Sequence, residues 1–286
     1  MKIGCAIPRL KKCKDDVIQL ASTFPVVTPV DWLCPSTLVF DGATRQHSII
    51  GQMQHVRGHC LIAAKPAYMP SIWGGNCKGL NWAAPRQNLS SAQQLAVLEN
   101  HISQTVKRFR QVTEWDLIAG NVRADGHLRI PEWKRLLERA VVANPNNTYW
   151  LDELLCTSYP RWLKIAEMAS DENIAGVGIQ VHANASTDVD KTLAFLERVL
   201  KLTTLTKTPV NLSEIGYWSP VDTTPDTGHV KAFVEGVKQL GEQYEAQTLI
   251  WWGLVSFYLH THLNKPEVLA LFDRDRNPTF IHDILC

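Results

Sequence analysis

Short apolar runs alternate with amphipathic stretches along the whole chain. Runs that suit buried strands lie at residues 3–7, 26–28, 56–62, 114–118, 148–151, 177–181, 210–214 and 249–253. Between them, apolar positions recur with the 3.6-residue period of a helix packed on one face. The clearest case is 90–110, where Leu95, Leu98, Ile102, Val106 and Phe109 form one stripe. Ser90 and Gln93 stand there in the spacing of a capping box. Val189, Leu193, Leu196 and Leu200 repeat the pattern over 188–200, and Val230, Phe233, Val237 and Leu240 over 229–244. Leu136, Leu137, Ala140 and Val141 follow Pro131, which suits a first helical turn.

Strand–helix alternation through the whole chain predicts a mainly parallel sheet. Eight such units in 286 residues predict a (β/α)8 TIM barrel, one α/β domain over residues 1–286. A doubly wound open sheet would usually bring a glycine-rich phosphate loop after its first strand, and Ile7-Pro8-Arg9-Leu10 is not one.

Composition narrows the function. Lys plus Arg is 29 and Asp plus Glu is 28, a balance that argues against nucleic acid or an anionic membrane surface as partner. No apolar stretch reaches the ~20 residues of a membrane span. The N-terminal apolar run is too short for a signal peptide, so a cytoplasmic location is expected. The seven cysteines show no C-x-x-C pair and read as reduced thiols. No metal constellation or cofactor motif stands out, and a monomer is expected. Ten tryptophans stand out in the composition; more than half suit core packing, and Trp faces also stack on sugar rings.

In a barrel the active site lies where the strands stop. The seventh strand stops at Leu212-Ser213-Glu214-Ile215-Gly216-Tyr217-Trp218. Glu214 there is either a catalytic carboxylate or a helix-capping, Arg-paired one. The sixth ends Gly178-Ile179-Gln180-Val181-His182, and the fifth Leu151-Asp152-Glu153. The third carries Val56-Arg57-Gly58-His59, and the eighth Trp251-Trp252-Gly253. The fourth ends Ala119-Gly120-Asn121, where an α/β enzyme usually keeps a carboxylate. A mouth with a carboxylate, histidines and tryptophans, and no cationic cluster, suits a neutral polyhydroxylated ligand: an oligosaccharide or polysaccharide.

These motifs resemble glycoside hydrolase family 10, the β-1,4-xylanase family. Trp115-Asp116-Leu117-Ile118-Ala119-Gly120-Asn121-Val122-Arg123-Ala124-Asp125-Gly126-His127-Leu128-Arg129 lies without gaps on the family's WDVVNEAxxxDGxxR. Val56-Arg57-Gly58-His59-Cys60-Leu61 resembles its vRGHTLVWH, Gly176 to His182 its GIGxQxH, and Leu212-Ser213-Glu214-Ile215 its ITELD. Trp252-Gly253-Leu254 and Leu271-Phe272-Asp273 resemble its closing motifs.

The resemblance implies a retaining glycosidase with Glu214 as nucleophile and His182 beside it. It also implies a cleft that keeps His59, Gln180 and Trp252, and Arg57, Asn121, Trp32 and Trp218 are further candidates to line it. The departures are concentrated at the chemistry. The family's acid/base Glu falls on Gly120 and the Asn before it on Ala119. Its sugar-holding residues after the second strand are replaced near Val30 to Cys34. Its Trp-His after the third strand becomes Ala63-Ala64, and its Asp after the nucleophile motif becomes Gly216. Three readings stay open. Asp152, Glu153 or Asp31 has taken over as acid, on a substrate other than xylan. Alternatively the barrel is a pseudoenzyme that binds a carbohydrate or protein partner, or the cleft serves a different reaction.

Overall fold

The computed structural model describes residues 1–7, 15–29, 48–64, 90–155, 158–219, 225–255 and 267–286. The expected features at Val30, Asp31, Trp32 and Cys34 lie outside these residues.

The strands are β1 (Lys2–Ile7), β2 (Val26–Pro29), β3 (Arg57–Gly58), β4 (Ile62–Ala63), β5 (Glu114–Ala119), β6 (Thr148–Leu154), β7 (Ile174–Asn184), β8 (Val210–Ser219), β9 (Thr248–Trp251) and β10 (Glu267–Val268). They run in the order β2-β1-β9-β8-β7-β6-β5-β3, with β4 also on β5. These neighbours pair in parallel, and Val27 closes the ring by a parallel bridge to Val56. The fold is therefore a (β/α)8 barrel whose third staff is β3 plus β4. The expected continuous strand over 56–62 breaks at His59-Cys60-Leu61, where Leu61 N–H still donates to Asp116 O at 2.9 Å. β10 adds antiparallel to the end of β8, outside the ring.

Helices α1 (Asp15–Ala21), α2 (Ser91–Arg108), α3 (Trp133–Ala143), α4 (Tyr159–Ala169), α5 (Val189–Leu205), α6 (Thr227–Gln243) and α7 (Phe280–Leu285) pack on the outside. α2 begins at the expected capping box: Gln93 N–H donates to Ser90 Oγ, and Ser90 N–H to Gln93 Oε1. Its stripe Leu98, Ile102, Val106 and Phe109 is buried. Each such side chain contributes about 1.5–3 kcal/mol relative to exposure. α3 starts at Trp133 with Glu132 as N-cap, so Pro131 stands just before the helix rather than in its first turn. No described helix is long and apolar enough to cross a membrane.

The inside of the barrel is polar from β3 round to β8, while Ala6, Val26 and Ile250 make a small apolar cluster on β1, β2 and β9. Near the strands' N-terminal ends, the buried Arg57 guanidinium bonds Asp116 and Glu114 and lies 5.0 Å over the Trp150 ring. Glu114 also pairs with His55 at 2.8 Å and accepts from Asn211 at 3.2 Å. Against the opposing effect of burial, the His55 bond and then Arg57 hold Glu114 below its usual range, and Arg57 and then His59 do so for Asp116.

Candidate active site

Register sets the site. Leu154 pairs with Gln180, and Gln180 with Glu214, so three side chains form one inward row at the carboxyl ends of β6, β7 and β8. One row below, Ala63 pairs with Ala119, and Ala119 with Asp152.

Glu214 is the centre. It is 7% exposed, and three side chains converge on it. Gln180 Nε2 donates to Oε1 at 2.7 Å, and His59 Nε2 lies 3.1 Å from the same oxygen. His182 Nε2 lies 3.4 Å from Oε2. Trp218 Nε1, which can only donate, donates to His182 Nδ1 at 3.3 Å. Nδ1 therefore accepts, and the ring proton on Nε2 faces Glu214. Trp252 sets its ring edge-on to His59, with centroids 5.3 Å apart. Gly216 fits among these groups: a Cβ there would stand 3.2 Å from His182 Nδ1 and 3.5 Å from Trp252.

Asp152 lies beneath this row with 0% exposure. Gln180 Nε2 donates to its Oδ2 at 2.5 Å, and Ser213 Oγ donates to its Oδ1. Burial, then the charges of Asp116 and Glu214, push its carboxyl up to about 8. His59 donates from Nδ1 to Asp116 Oδ2 at 2.9 Å. Burial works against a charged imidazole, but Glu214, the Asp116 bond and Asp152 raise His59 to about 10. Both ring nitrogens thus donate, and His59 is an imidazolium at neutral pH.

His59, Asp116 and Asp152 bring ligand-type atoms within 4.8 Å of one another. Two ligands on a tetrahedral ion with bonds of ~2.0–2.1 Å stand about 3.3 Å apart. The 2.9 Å contact here is a hydrogen bond, and Arg57 already supplies cationic charge to Asp116.

The structure brings Glu214, His182, Gln180, His59, Trp252 and Trp218 together, with Asp152 underneath. Three expected residues lie elsewhere. Glu153, one position on from Asp152, points to the opposite face of β6. There it accepts from Arg161 Nη2 at 2.5 Å and Val122 N–H at 2.9 Å, buried away from Glu214. Arg57 belongs to the ion network below the cleft. Asn121 is buried, and its Oδ1 accepts from Ile130 N–H at 2.8 Å, stapling the loop after β5. Asp116 and Ser213 were not among the expected residues. A charged residue inside the apolar run Trp115 to Ile118 was the available signal.

Gly120 adopts φ +77°, and no described atom lies within 4 Å of where its Cβ would stand. Its N–H donates to Asp152 O at 2.8 Å, which fixes it beside β6.

The whole chain superposes on solved xylanases. A glycoside hydrolase family 10 endoxylanase from a sugarcane soil metagenome matches with TM-score 0.77 at 16% identity, covering 100% of this chain and 95% of that one. Xylanase 10B from Thermotoga petrophila RKU-1, in complex with xylobiose, gives 0.76 at 16%, covering 99% and 92%. An intracellular xylanase from Thermoanaerobacterium saccharolyticum JW/SL-YS485, with xylotriose, gives 0.76 at 15%, covering 100% and 95%.

The fold is that of the family 10 xylanases.

No family model and no curated protein sequence matches the chain. The family-10 fold is thus carried by a sequence only 15–16% identical to these structures. Glu214 stands on β8, and β5 ends at Ala119, followed by Gly120.

Proposed function

We propose that the protein is a divergent, family-10-like glycosidase acting on a β-linked carbohydrate, with Glu214 as the nucleophile of a covalent glycosyl-enzyme. The observation that carries this reading is the triple hold on Glu214 by His59, Gln180 and His182. A buried carboxylate needs donors in any role. What supports a nucleophile here is that His59 and two positions on β7 supply them at the barrel mouth. Preorganised donors of this kind are what fix a reacting group in place. Oε1 takes two of them, leaving Oε2, with the longer His182 contact, as the oxygen that attacks the anomeric carbon.

A retaining glycosidase also uses a second carboxyl group about 5–5.5 Å away, which protonates the leaving oxygen and then activates water. Gly120 offers neither. Burial pushes the Asp152 carboxyl up to about 8, but with 0% exposure it does not meet a substrate. Glu153 is bound to Arg161. Among the described residues no acid faces Glu214. That observation favours a second reading, a barrel that binds carbohydrate without hydrolysing it.

β-Xylobiosyl and β-cellobiosyl fluorides, with and without azide, separate the two. Fluoride leaves without a proton, and azide attacks without a base. Fluoride release accelerated by azide, with β-glycosyl azide as product and none from Glu214→Ala, is the result expected of a live nucleophile. Binding of the sugars with no fluoride release in either condition would leave the binding barrel.

A further inference from the structure

We infer that Trp218 is a positioning residue for the nucleophile, acting through His182. Its indole N–H holds that imidazole neutral, with the one ring proton aimed at Glu214 Oε2. This role rests on Glu214 being the nucleophile, and it sets the charge at the attacking oxygen.

Three strands build the contact. In the β7–β8 register His182 pairs with Gly216 and Asn184 with Trp218, so His182, Gly216 and Trp218 share one face. On the other side of β8, Val268 of β10 pairs with Trp218, and Leu269 N–H donates to Tyr217 O at 2.9 Å. The Trp218 backbone thus has a strand on either side. From there its Nε1 donates to His182 Nδ1 at 3.3 Å, with ring centroids 6.0 Å apart and planes at 64°. The bond uses the space that Gly216 leaves. A Cβ there would stand 3.2 Å from His182 Nδ1 and 3.6 Å from Trp218 Nε1, tight against both partners.

An indole N–H can only donate, whereas an imidazole nitrogen donates or accepts according to its proton. A second proton on His182 would set two N–H groups against each other and break this bond. Trp218 thereby selects the neutral ring, with its proton on Nε2, 3.4 Å from Glu214 Oε2. His59 is built the opposite way. Its Nδ1 donates to the Asp116 carboxylate at 2.9 Å and its Nε2 faces Oε1 at 3.1 Å, so it carries charge. Oε1 therefore meets a cation and the Gln180 amide, and Oε2 a single neutral donor.

That asymmetry suits displacement. Oε2 forms its bond to the anomeric carbon as the bond to the leaving group breaks and the electron pair departs on that group. Oε2 gives up its negative charge in the step. A cation held against it would stabilise the free carboxylate more than the transition state and slow the reaction. A neutral donor orients the oxygen with less of that penalty.

Two variants remove the N–H and keep an aromatic ring. One is Trp218→Phe; the other places benzothienylalanine at position 218, with sulfur where the indole has N–H. Azide-assisted turnover of β-xylobiosyl and β-cellobiosyl fluorides is measured in each, alone and combined with His182→Ala. Nitrogen NMR reads the protons on the His182 ring, assigned by its loss in His182→Ala. Expected in the wild type at pH 7 are a bare Nδ1 and a protonated Nε2. In both variants part of the population should carry a proton on Nδ1. Their kcat should fall about three- to tenfold, the scale of one neutral hydrogen bond, with KM changing less. With His182→Ala in place, removing the indole N–H should cost nothing further. A His182 ring in the same state with and without the N–H would overturn the inference while leaving the nucleophile. A loss that persists in full without His182 would do the same. Silence of the wild type on both fluorides would remove the nucleophile, and the role of Trp218 with it.

Discussion

His59 and Glu214 are joined at 3.1 Å, Nε2 to Oε1, from staves that face each other across the barrel. The other side of the imidazole is fixed by Asp116 at 2.9 Å, and Asp116 by Arg57. The nucleophile's position is therefore set by a chain of charges that starts in the barrel's lower half.

Replacing His59 should disorder Glu214 and leave Asp116 with one cation fewer. Loss of one positioned donor commonly costs on the order of 10²–10³ in rate. His59→Ala is expected to lose that much of the azide-assisted fluoride turnover. His59→Gln, which keeps one donor, should recover part of it. Equal rates in wild type and both variants would show that the contact positions nothing.

Arg57 is expected to matter for stability first. Removing one partner of a buried ion pair commonly costs about 3–5 kcal/mol, and Arg57 serves Glu114 and Asp116 together. Arg57→Ala should lower the urea midpoint by a corresponding amount, or prevent folding. A midpoint unchanged from wild type would contradict the network.

Stability should fall as pH rises past neutrality. His59 is raised to about 10 from 6.5, so its contribution is full below 6.5 and is lost between 6.5 and 10. Asp152 is raised to about 8 from 3.8, so the native state resists its ionisation, and a penalty grows between 3.8 and 8. Below 6.5 a third group opposes these two. His101 is buried with its imidazole lowered to about 4, so stability drops as pH falls from 6.5 to 4. Asp152→Asn removes its own penalty and should melt higher than wild type at pH 9, relative to their difference at pH 4. Thermal melts at pH 4, 6.5 and 9 check both the fall above pH 6.5 and the crossing of the variant.

Gly120→Glu restores a carboxyl where the family pattern has one. The described surroundings leave its Cβ free, but φ +77° costs a non-glycine residue about 1–2 kcal/mol. The variant should be less stable by that amount. It should also gain on sugar leaving groups, since general acid–base help is worth on the order of 10²–10⁴-fold. Lower stability with no gain would mean that the glycan is not held in line with Glu214.

The fold was legible because periodicity reports burial directly. The stripe from Leu95 to Phe109 and the Ser90–Gln93 box are local signals, and both appear where the pattern puts them. Strand ends were harder to read. β7 runs to Asn184 and β8 to Ser219, past Gln180, His182 and Glu214, because polar side chains there line a polar barrel interior. An apolar run seems to end at the first polar residue only when the interior is taken as apolar. Asp152 and Glu153 show a second limit. Strand parity sends one inward and the other outward, and nothing in the pair Asp-Glu states the parity. Arg57 reads as a cleft cation by motif, yet its long side chain serves carboxylates one row down.

Covalent trapping tests the central claim most directly. The protein is incubated with 2-deoxy-2-fluoro-β-xylobiosyl and -cellobiosyl fluorides, and the intact mass and the modified peptide are determined. Expected is one added glycosyl unit on the peptide containing Glu214, absent from Glu214→Ala. No adduct, from a protein shown by calorimetry to bind the same sugars, would contradict a nucleophilic Glu214.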